Sequence, residues 1–149
     1  MAVFDTRNNA EYGMGLSATL SGATPAAGDW IDMQGWQSLT FTVGTGTVTD
    51  AGTASGFAFE VQESDTTAAA DATAVADADL IGTEAALTVT ADGDDDKMIG
   101  SIGYRGSKRY VRLVATGTTG TNAVVNCHAI KMKGGNMGSA SIDAGTAAT

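Results

Sequence analysis

The stretch Lys108-Arg109-Tyr110-Val111-Arg112-Leu113-Val114-Ala115-Thr116 decides the fold. Val111, Leu113 and Ala115 fall on one side of an extended chain, and Lys108, Tyr110, Arg112 and Val114 on the other. Branched and aromatic residues at a period of two describe a strand with one face against a core. The same period recurs upstream. In 37–44, Leu39, Phe41 and Val43 alternate with Ser38, Thr40 and Thr42. In 56–63, Phe57, Phe59 and Val61 alternate with Ala58, Glu60 and Gln62. In 85–91, Ala85, Leu87 and Val89 alternate with Ala86, Thr88 and Thr90. Fainter strand signals lie at 15–21, 29–33, 97–104 and 123–132.

The segments between these runs read as turns. Gly44-Thr45-Gly46-Thr47, Asp92-Gly93-Asp94 and Gly117-Thr118-Thr119-Gly120 carry glycines that tolerate positive φ and aspartates that bond their own backbone. The Ala/Asp-rich run after Ser64 predicts a short, thinly packed helix over 68–78, capped by Ser64 or Asp65. Eight short strands and one helical run predict an all-β fold, a jelly-roll-like antiparallel β-sandwich. Strand order is not readable from periodicity, so an immunoglobulin-like order stays open at this point. The chain divides into an N-terminal arm (1–14), the sandwich domain (15–133) and a flexible or extended Gly/Ser/Ala/Thr tail (134–149).

Charge is unevenly spread. The net charge is −9 with only eight Lys and Arg in 149 residues. Lys97, Arg105, Lys108, Arg109 and Arg112 fall within sixteen residues. A basic cluster on an acidic body predicts a face that meets its partner differently from the rest. Arg and Tyr are types enriched at interface centres. Arg105, Lys108, Arg109, Tyr110 and Arg112 are therefore the candidate partner-facing residues, with Phe4 and Arg7 of the arm as a second contact. Arg109 sits on the inward parity, which predicts a carboxylate partner at the end of the sheet. The overall acidity argues against nucleic acid, and no stretch is long and apolar enough for a membrane span. The N-terminal residues lack a signal-peptide pattern, which predicts synthesis in the cytoplasm without export.

Catalytic chemistry finds little footing. His128, the single histidine, adjoins Cys127, the single cysteine, in a strand-like run. Neighbours in a strand face opposite ways, so the two do not form a nucleophile pair. Glu60 and Glu63, read as a glycosidase pair, face opposite sides of a strand as well. One His and one Cys are too few for a zinc site, and the turn Asp92–Asp96 lacks EF-hand spacing. No cofactor motif is present. Trp30 and Trp36 read as core or interface anchors. A carbohydrate-binding or host-adhesion domain of a virion spike or tail, using these tryptophans, is the alternative function.

Three segments carry a family resemblance. Phe59-Glu60-Val61-Gln62-Glu63-Ser64-Asp65-Thr66-Thr67, with the Ala/Asp run ending Ala78-Asp79-Leu80-Ile81-Gly82, is one. Ile102-Gly103-Tyr104-Arg105-Gly106-Ser107-Lys108-Arg109-Tyr110-Val111-Arg112 is the most distinctive, and Asp29-Trp30-Ile31-Asp32-Met33-Gln34-Gly35-Trp36 precedes a strand. Over residues 28–133 the chain resembles the decoration, or cement, proteins of tailed bacteriophages. The resemblance implies a non-enzymatic virion protein on the capsid exterior. It implies binding to major capsid subunits, stabilisation of the contacts between neighbours, and assembly as a dimer or trimer. It brings no catalytic residue, cofactor or metal.

Overall fold

Residues 9–133 are described by the computed structural model. In it the alternating runs become β1 (Ala10–Ser21), β2 (Ala26–Ala27), β3 (Ile31–Asp32), β4 (Ser38–Asp50) and β5 (Ala58–Ser64). They continue as β6 (Thr73–Ala74), β7 (Leu80–Ile81), β8 (Met98–Tyr104), β9 (Tyr110–Thr116) and β10 (Asn122–Met132). The first sheet has the order β1-β10-β4-β8-β7; the second runs β2-β9-β5-β6, with β3 also on β9. All pairings are antiparallel. The chain is an antiparallel β-sandwich. Four of the pairings nest: β1 with β10, β2 with β9, β4 with β8, β5 with β6. The chain thus resembles one long hairpin wound into two layers.

One core fills the space between the layers. Phe41, Val43, Phe57, Val61, Val111 and Leu113 are fully buried. The inward parities read from 37–44, 56–63 and 108–116 hold, and Phe57 meets Phe59 edge to face at 6.1 Å. Val114, expected outward, is buried instead, because β2 on one side and β5 on the other flank it through Ala27 and Glu60. At one edge the layers close in: a Cβ on Gly28 would lie 1.9 Å from the Gly15 carbonyl oxygen. Only glycine fits there.

Several expectations need correction. The Gly44–Thr47 turn is strand: β4 runs through it to Asp50. Gly44 and Gly46 are places where the Lys97 carbonyl and the Val124 side chain press against the backbone, not reversals of the chain. Residues 85–91 are not a strand. Glu84–Leu87 is a 3-10 turn, and Val89 makes only an isolated bridge with Phe57. Leu87 and Val89 are buried, so the alternation there signals burial without a ladder.

No α-helix forms over 68–78. Two 3-10 turns, Ala69–Asp71 and Asp77–Asp79, flank β6. The run has no wide apolar stripe to repay helix nucleation, and Val75 alone plugs into the core. The 29–33 candidate shrinks to the two residues of β3. The arm is shorter than drawn, because β1 begins at Ala10 and pairs with β10 from Met132 onward. Phe4 and Arg7 lie outside the described residues, as does the 134–149 tail.

Candidate functional site

The basic window is built around Tyr104, the last residue of β8. Its ring is buried, and its hydroxyl donates to Glu63 Oε2 on β5 at 2.6 Å. Burial, reinforced by that carboxylate, pushes the phenol well above its ordinary range, so it stays a donor. The same hydroxyl accepts from the Lys108 backbone N–H at 2.9 Å. The Gly106-Ser107 turn wraps the ring so closely that a Cβ on Gly106 would sit 2.5 Å from the Tyr104 oxygen. The turn from β8 to β9, which aims the cations, is therefore fixed by a buried side chain.

Each cation then finds its own partner. Arg105 donates through Nε and Nη2 to the Ala78 carbonyl, at 3.1 and 2.9 Å. Lys108 pairs with Asp65, which holds its ammonium above the usual range. Arg109 makes the two-pronged contact with Asp32 that its parity predicts, Nε to Oδ1 at 3.1 Å and Nη2 to Oδ2 at 2.9 Å. The Arg109 guanidinium, with the Gln34 N–H, holds the Asp32 carboxyl below the ordinary carboxylate range. Arg109 also lies 5.0 Å from the Tyr110 ring centre. Arg112 donates to Gln62 Oε1 at 3.0 and 2.9 Å and spreads over Trp30 at 4.4 Å. Gln62 in turn donates to Glu60.

The sixteen-residue cluster thus splits into three places. Lys108, Arg109, Tyr110 and Arg112 gather on and beside the outer face of β9. Arg105 turns away toward the Ala78 segment. Lys97 lies at the opposite end of β8, paired with Asp94. Beside Lys108 and Arg109 an open cleft of about 410 Å³ is bordered by Met33, Trp36 and Tyr104. Sequence reasoning missed Tyr104, whose only signal was its place at the end of a strand beside a Gly-Ser turn. It gave Arg109 a carboxylate without identifying Asp32, and it missed Gln62 as the group that orients Arg112.

The remaining candidates resolve plainly. Cys127 is buried, and burial pushes its thiol up to about 12; His128 is exposed on the other side of β10. Glu63 is engaged by Tyr104. In the acidic turn, Asp92 and Asp95 accept backbone N–H groups of Ala51 and Val48, and so cap the far end of β4. Among the described residues no cluster of three or more His, Cys, Asp or Glu is placed to hold a metal. No helix among them is long and apolar enough to cross a membrane. Compared with known proteins, the chain matches no family model, and no curated protein matches it.

Proposed function

We propose that this chain is a non-enzymatic structural protein that binds the outside of an icosahedral phage capsid and stabilises contacts between neighbouring major capsid subunits. The observation that carries the proposal is the Arg112–Trp30 and Arg109–Tyr110 pairs held ready on one rigid sheet face. Arg, Trp and Tyr are the residues that most often dominate binding energy. Here they are ordered in advance, which reduces the entropy lost on docking. The Arg109 and Lys108 side chains keep 46% and 41% exposure, so their charge still reaches a partner. The sequence resemblance supplies the partner, and the nested pairing supports the jelly-roll form of the sandwich. A binder that prefers the assembled shell to loose subunits stabilises the shell by mass action, and many equivalent sites let modest contacts add up.

Charge reversal tests the docking face. Lys108→Glu with Arg112→Glu is expected to lower occupancy on isolated shells, with a weaker salt dependence than the unaltered chain. Equal occupancy across a salt series, with the variant shown to be folded, sinks the assignment. The glycan-binding alternative loses support, because Arg112 covers one face of Trp30, and Lys131 and Lys133 lie over Trp36 at 4.9 and 5.4 Å.

A further inference from the structure

The outer side of the first sheet, β1-β10-β4-β8-β7, has no part in the basic face. Its strands carry only Glu11, Asp50 and Lys131 as charged residues, all near strand ends. Glu11 and Lys131 neutralise each other at 2.8 Å, and Asp50 accepts the Gly52 N–H in its own turn. Every large apolar side chain well exposed among the described residues belongs to this sheet: Tyr12 (55%), Met14 (51%), Ile81 (60%), Met98 (70%) and Met132 (38%). Register places all five on the outer side. Tyr12, Met14 and Met132 share the parity of exposed His128, and Ile81 lies opposite Gly103, between inward-facing Ile102 and Tyr104. Met98 lies opposite Gly44, in step with outward Thr42 along β4, because a bulge at Ile99 breaks the β8 parity that turns Ile102 and Tyr104 inward.

One row crosses the whole sheet: Tyr12, Ile130, Thr40, Gly103, Ile81. It is apolar or small throughout and has its bulk at the two edges. With β4 as the middle strand, a two-fold axis along β4 would set Tyr12 of one copy against Ile81 of the other.

We infer that this face is the contact between two copies of the chain. Electrostatics favour a second copy as the occupant. Two bodies of net charge −9 repel on approach, and between its strand ends this face carries no carboxylate; Asp50, at the end of β4, is the one acidic strand residue that meets its own copy, and it is bonded to the Gly52 N–H. Size agrees as well. Five strands about 4.8 Å apart, long in β1, β4 and β10 and short in β7, average roughly 30 Å and offer on the order of 700 Å², near the ~800 Å² per partner of a standard interface. The inference is independent of the capsid assignment, which concerns the opposite sheet.

Sedimentation of the full chain tests it. At roughly 100 µM the unaltered protein is expected at twice the chain mass. Thr42→Glu, which sets a charge at the centre of the face, is expected at the single-chain mass, and Arg112→Glu on the opposite sheet at twice the chain mass. Should Thr42→Glu fail to fold, Ile81→Asp at the edge strand makes the same test. Oxidative crosslinking checks the axis: a mixture of Tyr12→Cys and Ile81→Cys chains should give linked pairs that neither gives alone, since Cys127 is buried. A single-chain or three-chain mass for the unaltered protein overturns the inference. So does a dimer that survives Thr42→Glu and Ile81→Asp, or crosslinking by Tyr12→Cys alone.

Discussion

The two sheets hold themselves together by different means. In the first, β1, β4 and β10 are eleven to thirteen residues long and pair over most of their length. Backbone ladders do the work, and the outer face needs no charge. In the second, β2, β3 and β6 are two residues each. So few ladder bonds cannot position an edge. Side chains do it instead: Asp32 of β3 grips Arg109 just before β9, and Trp30 lies beneath Arg112 of β9. The lesson is that cations clustered in sequence can be fasteners of a broken edge before they are contacts for a partner. On this face the same exposure that lets them pair leaves their outer surface open to the partner proposed above.

The contrast between the sheets can be broken most severely at the shared core. Phe41 on β4 is fully buried, and Phe41→Ala should cost about 3–5 kcal/mol. Chemical denaturation followed by two probes, Trp30 fluorescence in a Trp36→Phe background for the second sheet and far-ultraviolet circular dichroism for the whole, should still give one transition. Two separated transitions would mean that the sheets fold as independent units.

A smaller loss is expected from Tyr104→Phe. The hydroxyl is a tie from β8 in one sheet to Glu63 on β5 in the other. Removing it strands a carboxylate and the Lys108 N–H, for roughly 1–3 kcal/mol. Hydrogen exchange should show the 105–109 turn opening more than β10. Uniform loss across both sheets would assign Tyr104 to packing alone.

The smallest effect belongs to Arg109→Ala, an exposed pair screened by solvent. Its pH dependence gives it away. Because Arg109 depresses the Asp32 pKa in the folded state, the pair contributes stability above the unfolded value of about 3.9. That contribution fades as pH falls through the lower folded value. The melting difference between Arg109→Ala and the unaltered chain should therefore be largest near neutrality and shrink in strong acid. A difference independent of pH would leave only the stacking on Tyr110.

Legibility followed the same divide. Strands β8, β9 and β10 stand close to where period two places them, because each has one face in the core and one in solvent. β1 hid its first half. A bulge at Gly15 lets Met14 face outward and Leu16 inward although both are even-numbered, so a strict period of two fails across it. β4 concealed its second half behind two glycines that resemble a turn. The 85–91 run misled in the other direction, since Leu87 and Val89 reach the core from a 3-10 turn and a single bridge. At the site, Arg109's carboxylate was foreseeable from parity. Gln62 and Trp30 beside Arg112 were not, because they come from segments fifty and more residues away in sequence, and periodicity carries no information about which strands meet.

The Lys133 N–H donates to the Asn9 carbonyl at 3.3 Å, so the outermost turns of β1 and β10 finish side by side. This has a mechanical consequence. A load applied between residues 9 and 133 pulls across the β1–β10 ladder at its end, and its hydrogen bonds break in succession, as in a zipper. Pulled instead between residue 9 and the far end of β10 at Asn122, the same ladder would resist in shear, with all its bonds strained together. Two attachments at the paired ends would thus make this sandwich yield gradually under tension, with the β10–β4 and β4–β8 ladders holding until β1 has peeled away.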